Sequence, residues 1–249
     1  MDSRLLEKVL CRPVVNMSIH ASLGLRFMVD ELKGALGPGD LVIAPLEYSA
    51  YSDPIQDNEV HLLAIDFDPE LIRMMPITAR PRLFLGVMVM RAQATWKVLS
   101  GAWKDASPHS FFRADGFNEQ GDLVSHLDKK AWPSAEQEHV HYKSEIVDPE
   151  FWPVIVELGE DVRRAGATLV IAWPGVAQSS YREGRADSLR MALQLKGLSI
   201  LGEQARYVLP DSSFFDTHYH LRSEGREMRT LTLVEDLCGS GVVRCCSGR

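Results

Sequence analysis

Apolar positions repeat at helical and strand spacing along about the first fifty residues of the chain. The segment DSRLLEKVLC carries its leucines and its valine at helical spacing, and Asp2 or Ser3 can cap its start. RPVVNMSI then predicts a short buried strand, LGLRFMVDELKGAL an amphipathic helix that ends at GPGD, and DLVIAPLEY a second buried strand. This order of helix, strand, helix and strand is typical of a parallel sheet with right-handed crossovers.

The pattern is looser between Asp53 and about Ser144. Two helices are predicted here, over LLAIDFDPELIRMMPI and RPRLFLGVMVMRAQATWKVLSG, and a long polar loop follows them, FFRADGFNEQGDLVSHLDKKAWPSAEQEHVHY. We interpret residues 53–144 as a helical and irregular insertion that forms one wall of a cleft. The methionines and tryptophans of this segment are expected to pack between helices rather than to bind a cofactor.

The alternation of helices and strands resumes in the last third of the chain. Helices are predicted over DPEFWPVIVELGEDVRRAG, SSYREGRADSLRMALQLKG and SEGREMRTLTLVEDL, the last with Ser223 as a cap. ATLVIAWPG predicts a third apolar strand, and a short fourth strand is expected near SIL. The sequence therefore predicts a single α/β domain over residues 1–237 with a doubly wound parallel sheet, followed by a disordered Gly/Ser-rich tail over residues 238–249.

The composition is that of an ordinary globular protein. Of the 249 residues, 45% are hydrophobic and 24% are charged, which is enough apolar material for a full-sized core. The formal net charge is -7, and no basic stripe is interleaved with aromatic residues. This charge balance argues against nucleic acid as a partner.

The cysteines and the termini bear on the compartment. Three of the four cysteines, Cys238, Cys245 and Cys246, lie in the final dozen residues, and Cys11 is far from them in sequence. Their spacing is not that of a zinc site, so we predict reduced or incidental thiols. No apolar run is long enough to span a bilayer, and the start, MDSRLLEKVL, lacks the features of a signal peptide. We therefore expect a soluble cytoplasmic chain, or an envelope or secreted one if a signal or anchor lies upstream.

Polar residues follow each predicted strand. In an open parallel sheet, ligands bind beyond the carboxyl ends of the strands. The segments at these positions are residues 16–22, 47–52, 173–180 and 216–220. We expect these four loops to converge on one edge of the sheet.

The last of these loops, in SSFFDTHYHLRSEGREMRT, contains an acid and a histidine that could work as a pair. A carboxylate on one ring nitrogen fixes the tautomer of an imidazole and stabilises its protonated form, as a hydrolase requires. Asp216 and His220 can supply such a pair from a single loop. His220 is the predicted base, and His218, two residues earlier, is predicted to be structural or exposed.

A metal site is an alternative interpretation of the same loop. It would use Asp216, His218 and His220 as ligands, with His139 and His141 forming a second His-x-His pair elsewhere. Three ligands from so short a loop rarely converge without a fourth, so we rank this alternative below the acid–histidine pair. No metal and no cofactor are predicted.

Two segments together resemble a known superfamily over nearly the whole chain. PVVNMSIHASLGLRFMVDELKGALGPGDLVIAPLEYSAYS near the start and FFDTHYHLRSEGREMRT near the end are similar to the SGNH/GDSL-like hydrolases, in particular to the bacterial branch associated with cell-envelope polysaccharides. The resemblance implies a flavodoxin-like doubly wound fold. It also implies a Ser-His-Asp triad completed by Asp216 and His220, although three residues separate the two here where two are usual. The implied substrate is a small ester or an O-acylated sugar.

The sequence departs from that superfamily at its start. Members open with a strand that ends in the nucleophilic serine, whereas MDSRLLEKVL resembles the helix that follows this strand. We therefore expect the chain as written to be inactive or severely impaired as an esterase or O-acyltransferase. The alternative is a non-catalytic module of the same fold that binds a glycan or a protein partner.

The oxyanion-binding positions of the superfamily are only partly matched. The corresponding region after the first predicted strand offers Asn16 and Ser18, and the one after the second offers Glu47 and Tyr48. We predict these four residues as substrate-binding candidates. Glu47 could also orient His220 or cap a neighbouring helix.

Overall fold

The chain has a mixed α/β fold in the computed structural model, which describes residues 1–18, 20–52, 59–75, 77–102, 114–131 and 147–246. The strands form two short parallel pairs. The helices are α1 (Ser3–Leu10), α2 (Gly24–Lys33), α3 (Tyr48–Ser52), α4 (Glu59–Phe67), α5 (Arg80–Leu99), α6 (Phe151–Arg164), α7 (Glu183–Leu195) and α8 (Ser223–Ser240). The strands are β1 (Leu41–Pro45), β2 (Thr168–Ala172), β3 (Val176–Ala177) and β4 (Val208–Leu209).

The first helix begins and ends as the sequence predicts. The Asp2 carboxylate accepts a hydrogen bond from the Leu5 backbone N–H at 3.0 Å, which satisfies one of the unpaired donors of the first turn. The helix ends at Cys11, which has a left-handed backbone with φ 48°. Leu6 and Leu10 are buried, and the helix packs against α8. This contact joins the beginning of the chain to its end.

The segment RPVVNMSI does not form the predicted strand. Residues 12–18 have no strand structure, and Val15 is 73% exposed. The backbone N–H of Asn16 donates instead to the Gln120 carbonyl at 2.7 Å, in a loop of the central part of the chain. The apolar run predicted a buried strand, but its backbone bonds are made to this loop rather than to a sheet.

The principal parallel pair confirms two of the predicted strands. β1 and β2 align from Leu41 with Thr168 to Pro45 with Ala172. The predicted fourth strand near SIL is a single parallel bridge, in which Ile200 lies opposite Ile171. β3 and β4 make a second pair of two residues each. The α/β class is confirmed, in the form of these short pairs.

Besides a small group of four buried residues around β3 and β4, namely Ala177, Leu209, Phe214 and Leu221, two hydrophobic clusters fill the interior. The larger surrounds β1 and β2, with α2 and α6 packed beside them, and its fully buried members include Phe151, Ile155 and Ile171. The smaller lies between α4, α5 and the 3-10 turn Pro69–Met74 and contains Phe27 and Leu83. Both helices predicted within the insertion are therefore present, although the second half of the first is a 3-10 turn.

The sequence predicted that the large side chains of α5 lie in the core, but some of them are exposed. Trp96 is 71% exposed and Met88 is 50% exposed. The prediction that the tryptophans and methionines of this segment pack between helices is wrong for these two residues. The reason is that α5 has apolar residues on two sides, of which one packs against α4.

The last residues of the described chain are tied to the body, whereas the sequence predicted a disordered tail from residue 238. Cys238 lies within α8, which continues to Ser240. Disulfides join Cys11 to Cys246 and Cys238 to Cys245, so the prediction of reduced or incidental thiols is wrong. Distance in sequence concealed the pairing, because the packing of α1 on α8 brings Cys11 to the end of the chain. Disulfides of this kind favour an oxidising compartment.

Within the described part of the chain, no helix is both long enough and apolar enough to cross a lipid bilayer.

The disulfide between Cys11 and Cys246 predicts a measurable contribution to stability. It closes a loop with a sequence separation of 235 residues, so its loss should lower the free energy of unfolding by about 2–4 kcal/mol. Cys11→Ser/Cys246→Ser can be compared with Cys238→Ser/Cys245→Ser in urea denaturation. The second pair is separated by only 7 residues and should cost less. Equal losses, or no effect of reductant on the wild type, would contradict the assignment.

Candidate functional site

A short loop after β4 holds an aspartate against a histidine. The Nδ1–H of His220 donates to Oδ1 of Asp216 at 2.8 Å. The acid is buried, with 8% of its side chain exposed, whereas 35% of the histidine side chain is exposed. A buried carboxylate that accepts from Nδ1 fixes the ring with its Nε2 as the basic atom. The structure therefore joins the two residues that the sequence predicted as a pair.

The local sequence explains why the loop folds back on itself. Phe214 and Leu221 form an antiparallel bridge, and the Phe215 N–H donates to the His220 carbonyl at 2.8 Å. Between them, the Thr217 hydroxyl accepts from the backbone N–H of His220 at 3.1 Å. The loop is a closed turn whose ends are paired. This closure places the acid and the imidazole, four residues apart, on one side of the turn.

His218 anchors the same loop to the neighbouring strand pair. It is 3% exposed, and its Nδ1 is hydrogen-bonded to the Ser180 hydroxyl in the 3-10 turn Gln178–Ser180. Its carbonyl accepts from the Ala177 N–H at 3.2 Å. His218 is thus structural, one of the two roles predicted for it. Ser180, itself 7% exposed, was not singled out by the sequence, because nothing in the chain order connects it to His218.

The loop after β1 reaches the site through two tyrosines. The Tyr48 N–H donates to the Tyr219 hydroxyl at 3.1 Å, and the two ring centroids are 6.4 Å apart. This contact joins Glu47 and Tyr48 to the residue next to His220. Burial raises the pKa of Glu47, while the nearby His220 and a hydrogen bond from Ser49 oppose the increase. Glu47 is therefore a second acid in the electrostatic field of His220.

Two further histidines surround His220. The ring centroid of His126 is 6.4 Å from that of His220, and its Nε2 is bonded to the Leu221 carbonyl at 3.1 Å. Burial lowers the pKa of His126. The hydrogen bond to the Leu221 carbonyl raises this pKa in part, and the charge of His220 lowers it further. Burial and then His220 also lower the pKa of His20. Both rings therefore favour the neutral form beside His220.

The sequence indicates these two histidines to different degrees. His20 lies in the segment 16–22 that is predicted to line the site, although the strand predicted before this segment does not form. His126 lies in the long polar loop of the insertion, where no periodicity or motif marks it. Only the contact between this loop and the turn around Leu221 brings it to the site.

Asn16 and Ser18 have their contacts elsewhere. The Asn16 amide donates to Oδ1 of Asp122 at 2.9 Å, and its side-chain oxygen accepts from the Ser18 N–H at 3.0 Å. Gly121 approaches so closely that a Cβ there would lie 2.5 Å from the Asn16 carbonyl, and its φ of +83° is in the left-handed region. Of the four predicted substrate-binding residues, Glu47 lies within the electrostatic reach of His220 and Tyr48 contacts the adjacent Tyr219. The other two lie elsewhere, with Asn16 bonded to Asp122 and Ser18 bonded to Asn16.

Asp122 is the centre of a buried polar cluster. It accepts from the Ser3 backbone N–H at 2.9 Å and from the Ser3 hydroxyl at 2.7 Å, and it pairs with Arg226 at 2.5 Å. Burial alone would raise the pKa of Asp122, but the bonds from Ser3 and Asn16 and the charge of Arg226 outweigh burial and lower it. The cluster joins α1, the central loop and α8 with an ionised carboxylate.

The metal alternative gains no geometric support in the described residues, which contain no group of three or more His, Cys, Asp or Glu side chains arranged to hold an ion. His139 and His141 lie outside the described residues. His218 is bonded to Ser180 instead of converging with Asp216 and His220.

Comparison with known proteins found no matching family model, no similar curated protein and no similar solved structure.

The buried cluster predicts a pH-dependent loss of stability in Asp122→Asn. The substitution removes the closer of two carboxylates from buried Arg226 and leaves only the more distant one, Asp2 at 3.5 Å, so the free energy of unfolding at pH 7 should fall by about 3 kcal/mol. Because the pKa of Asp122 is lowered in the folded state, its contribution is present above the ordinary carboxyl pKa and is lost as the pH falls. The difference from wild type should therefore shrink below about pH 4.

Urea denaturation between neutral and acidic pH checks this expectation. Asp128→Asn is the matched control, since Asp128 lies in the same segment but is exposed. A variant at Asp122 that loses no more stability than this control, or that loses the same amount at every pH, would contradict the assigned ion pair.

Proposed function

We propose that the chain is an SGNH-type esterase or O-acyltransferase that acts on a small ester or an O-acylated sugar by a Ser-His-Asp mechanism. The observation that carries the proposal is the 2.8 Å hydrogen bond between buried Asp216 and partly exposed His220. In this mechanism His220 is the general base and then the general acid. Asp216 stays ionised and orients the ring.

The proton transfers follow from the assigned tautomer. Nε2 of His220 accepts the hydroxyl proton as the nucleophile attacks the carbonyl carbon of the ester. The imidazolium then donates this proton to the departing alkoxide, and the cycle repeats with water or an acceptor hydroxyl in the second half. The negative charge of Asp216 stabilises the imidazolium between the two steps. Neutral His20 and His126 avoid placing further positive charge beside it.

The position of the pair on the fold also supports the proposal. Glu47 and Tyr48 follow the carboxyl end of β1, the edge at which ligands bind in open parallel sheets. We further propose that the short parallel pairs belong to a doubly wound, flavodoxin-like arrangement of the SGNH type. In this arrangement Glu47 and Tyr48 line the substrate side of the site, and Asn16 and Ser18 maintain the adjoining loop.

Neither Ser180 nor Ser18 is assigned as the nucleophile. Ser180 is hydrogen-bonded to His218, but both residues are buried, so the hydroxyl is not open to a substrate that arrives from solvent. Ser18 is exposed and lies with Asn16 rather than with His220. The pair Asp216–His220 is therefore proposed as the acid–base part of the site.

Acyl transfer to an added alcohol tests this acid–base part directly. A chromogenic acetate ester is the donor and methanol is the acceptor, so that methanol supplies the attacking hydroxyl, and formation of methyl acetate is measured. Because methanol supplies the attacking hydroxyl, this transfer does not need a serine nucleophile. We therefore expect the protein to accelerate it even where hydrolysis through an acyl-serine is impaired, and His220→Ala to lose this acceleration by about a hundredfold. Asp216→Asn should lose about tenfold or more, because the ring is no longer held in the required tautomer.

Asp128→Asn is the control for the loss of an aspartate and should retain the wild-type rate. A His220→Ala rate equal to that of wild type would contradict the proposed base. If the wild-type chain accelerates neither hydrolysis nor transfer, the esterase proposal fails, and the non-catalytic module that binds a glycan or a protein partner is favoured.

A further inference from the structure

Helix α5 is apolar on two opposite sides. Leu83 and Val87 are 3% and 7% exposed and pack in the smaller hydrophobic cluster, and Gly86 lies against the Leu62 side chain of α4. At about 100° per residue, these three positions mark the side that faces the protein. A helix that is apolar on a second side as well normally has a second partner.

The second side is an exposed stripe of large apolar residues. Its members lie within an arc of roughly 100°, centred roughly 160° away from the α4-facing side. They recur at the helical spacing of three, four or seven residues: Leu85 (63% exposed), Met88 (50%), Val89 (48%), Trp96 (71%) and Leu99 (76%). We call these five residues the outer stripe. Its length from Leu85 to Leu99 is about 21 Å.

The charges beside the outer stripe are all positive on this helix. α5 carries Arg80, Arg82, Arg91 and Lys97 and no acidic residue, although the chain as a whole has a net charge of -7. Arg82 lies roughly 20° beyond one margin of the stripe and Arg91 lies roughly 60° beyond the other. Lys97 lies in the exposed last turn of the helix, next to Trp96. Arg91 also pairs with Asp66 of α4. An occupant of this surface therefore meets apolar side chains bordered by cations.

We propose that the outer stripe binds the surface of an anionic lipid bilayer, with α5 lying in the plane of the interface. A helix with tryptophan and leucine on one face and arginine and lysine at its margins has the character of interfacial membrane helices. The apolar side chains enter the boundary between headgroups and acyl chains, and the cations contact lipid phosphates. This surface is separate from the chemistry of Asp216 and His220.

Charge and shape favour a bilayer over two other occupants. In a symmetric pair of α5 helices, the cationic margins of one copy would face those of the other, which is unfavourable. An acidic protein partner would need a groove to receive a convex ridge. From residue 91 to residue 100 all side chains are exposed, so the end of α5 stands clear of the described body of the protein. A flat lipid surface can accept such a ridge without a groove.

Co-sedimentation with vesicles tests the proposal. The full chain is mixed with vesicles of equal parts phosphatidylcholine and phosphatidylglycerol, and separately with vesicles of phosphatidylcholine alone. We expect stronger binding to the anionic vesicles, weakened by salt. Trp96→Ser/Leu99→Ser should lower the vesicle affinity by about a hundredfold, because two large apolar groups are lost. Lys97→Glu should lower it by about tenfold or more.

Matched control variants distinguish binding by the outer stripe from non-specific adsorption to vesicles. Met191→Ser/Leu195→Ser removes two apolar residues that are 63% and 85% exposed on α7, and Lys130→Glu reverses an exposed charge outside α5. These variants should bind as wild type does.

Equal binding by all variants, or no binding to anionic vesicles, overturns the proposal. A dimer in size-exclusion chromatography that Trp96→Ser/Leu99→Ser converts to a monomer, without vesicle binding, overturns it in favour of a second copy. Capture only by an acidic peptide overturns it in favour of a protein partner.

Discussion

A buried carboxylate must have partners, and this constraint accounts for two polar centres in the described residues, one around Asp216 and one around Asp122. Asp216 is held by His220, and Asp122 by Ser3, Asn16 and Arg226. In the first centre the partner is partly exposed and can exchange a proton with a ligand. In the second, the partners are an arginine and fixed donors, so the carboxylate stays ionised and ties three parts of the chain together. Burial of a carboxylate therefore allows acid–base chemistry in the first centre and stabilises the fold in the second.

Most of the helices could be predicted because the determinants of a helix are local; the exception in the described residues is the short α3, which lies in residues 47–52, predicted as a loop after a strand. The Asp2 cap, the apolar spacing of α6 and the length of α5 are all readable in the sequence. The strands could be predicted only in part, since an apolar run does not specify its partner. The run from Leu41 finds β2, whereas the run from Pro13 makes its contact with Gln120.

The candidate site shows the same division. Asp216 and His220 are four residues apart, so the pair was predictable from one loop, and Glu47 was predictable from its place after a strand. His126 and Ser180 come from segments that are distant in sequence from the residues they contact. The disulfide of Cys11 with Cys246 was missed for this reason too. The exposed side of α5 was missed because a helix with apolar residues on two sides resembles one that is buried.

The tautomer of His220 decides whether its Nε2 atom can act as the proposed base. Nitrogen-15 NMR of the imidazole distinguishes a ring protonated at Nδ1 from one protonated at Nε2, above the pH at which the ring is neutral. We expect neutral His220 to carry its proton on Nδ1, donated to Asp216, and Asp216→Ala to abolish this preference. A neutral His220 protonated on Nε2 in the wild-type protein would rule out its role as the base, because Nε2 would then have no lone pair to accept a proton from a nucleophile.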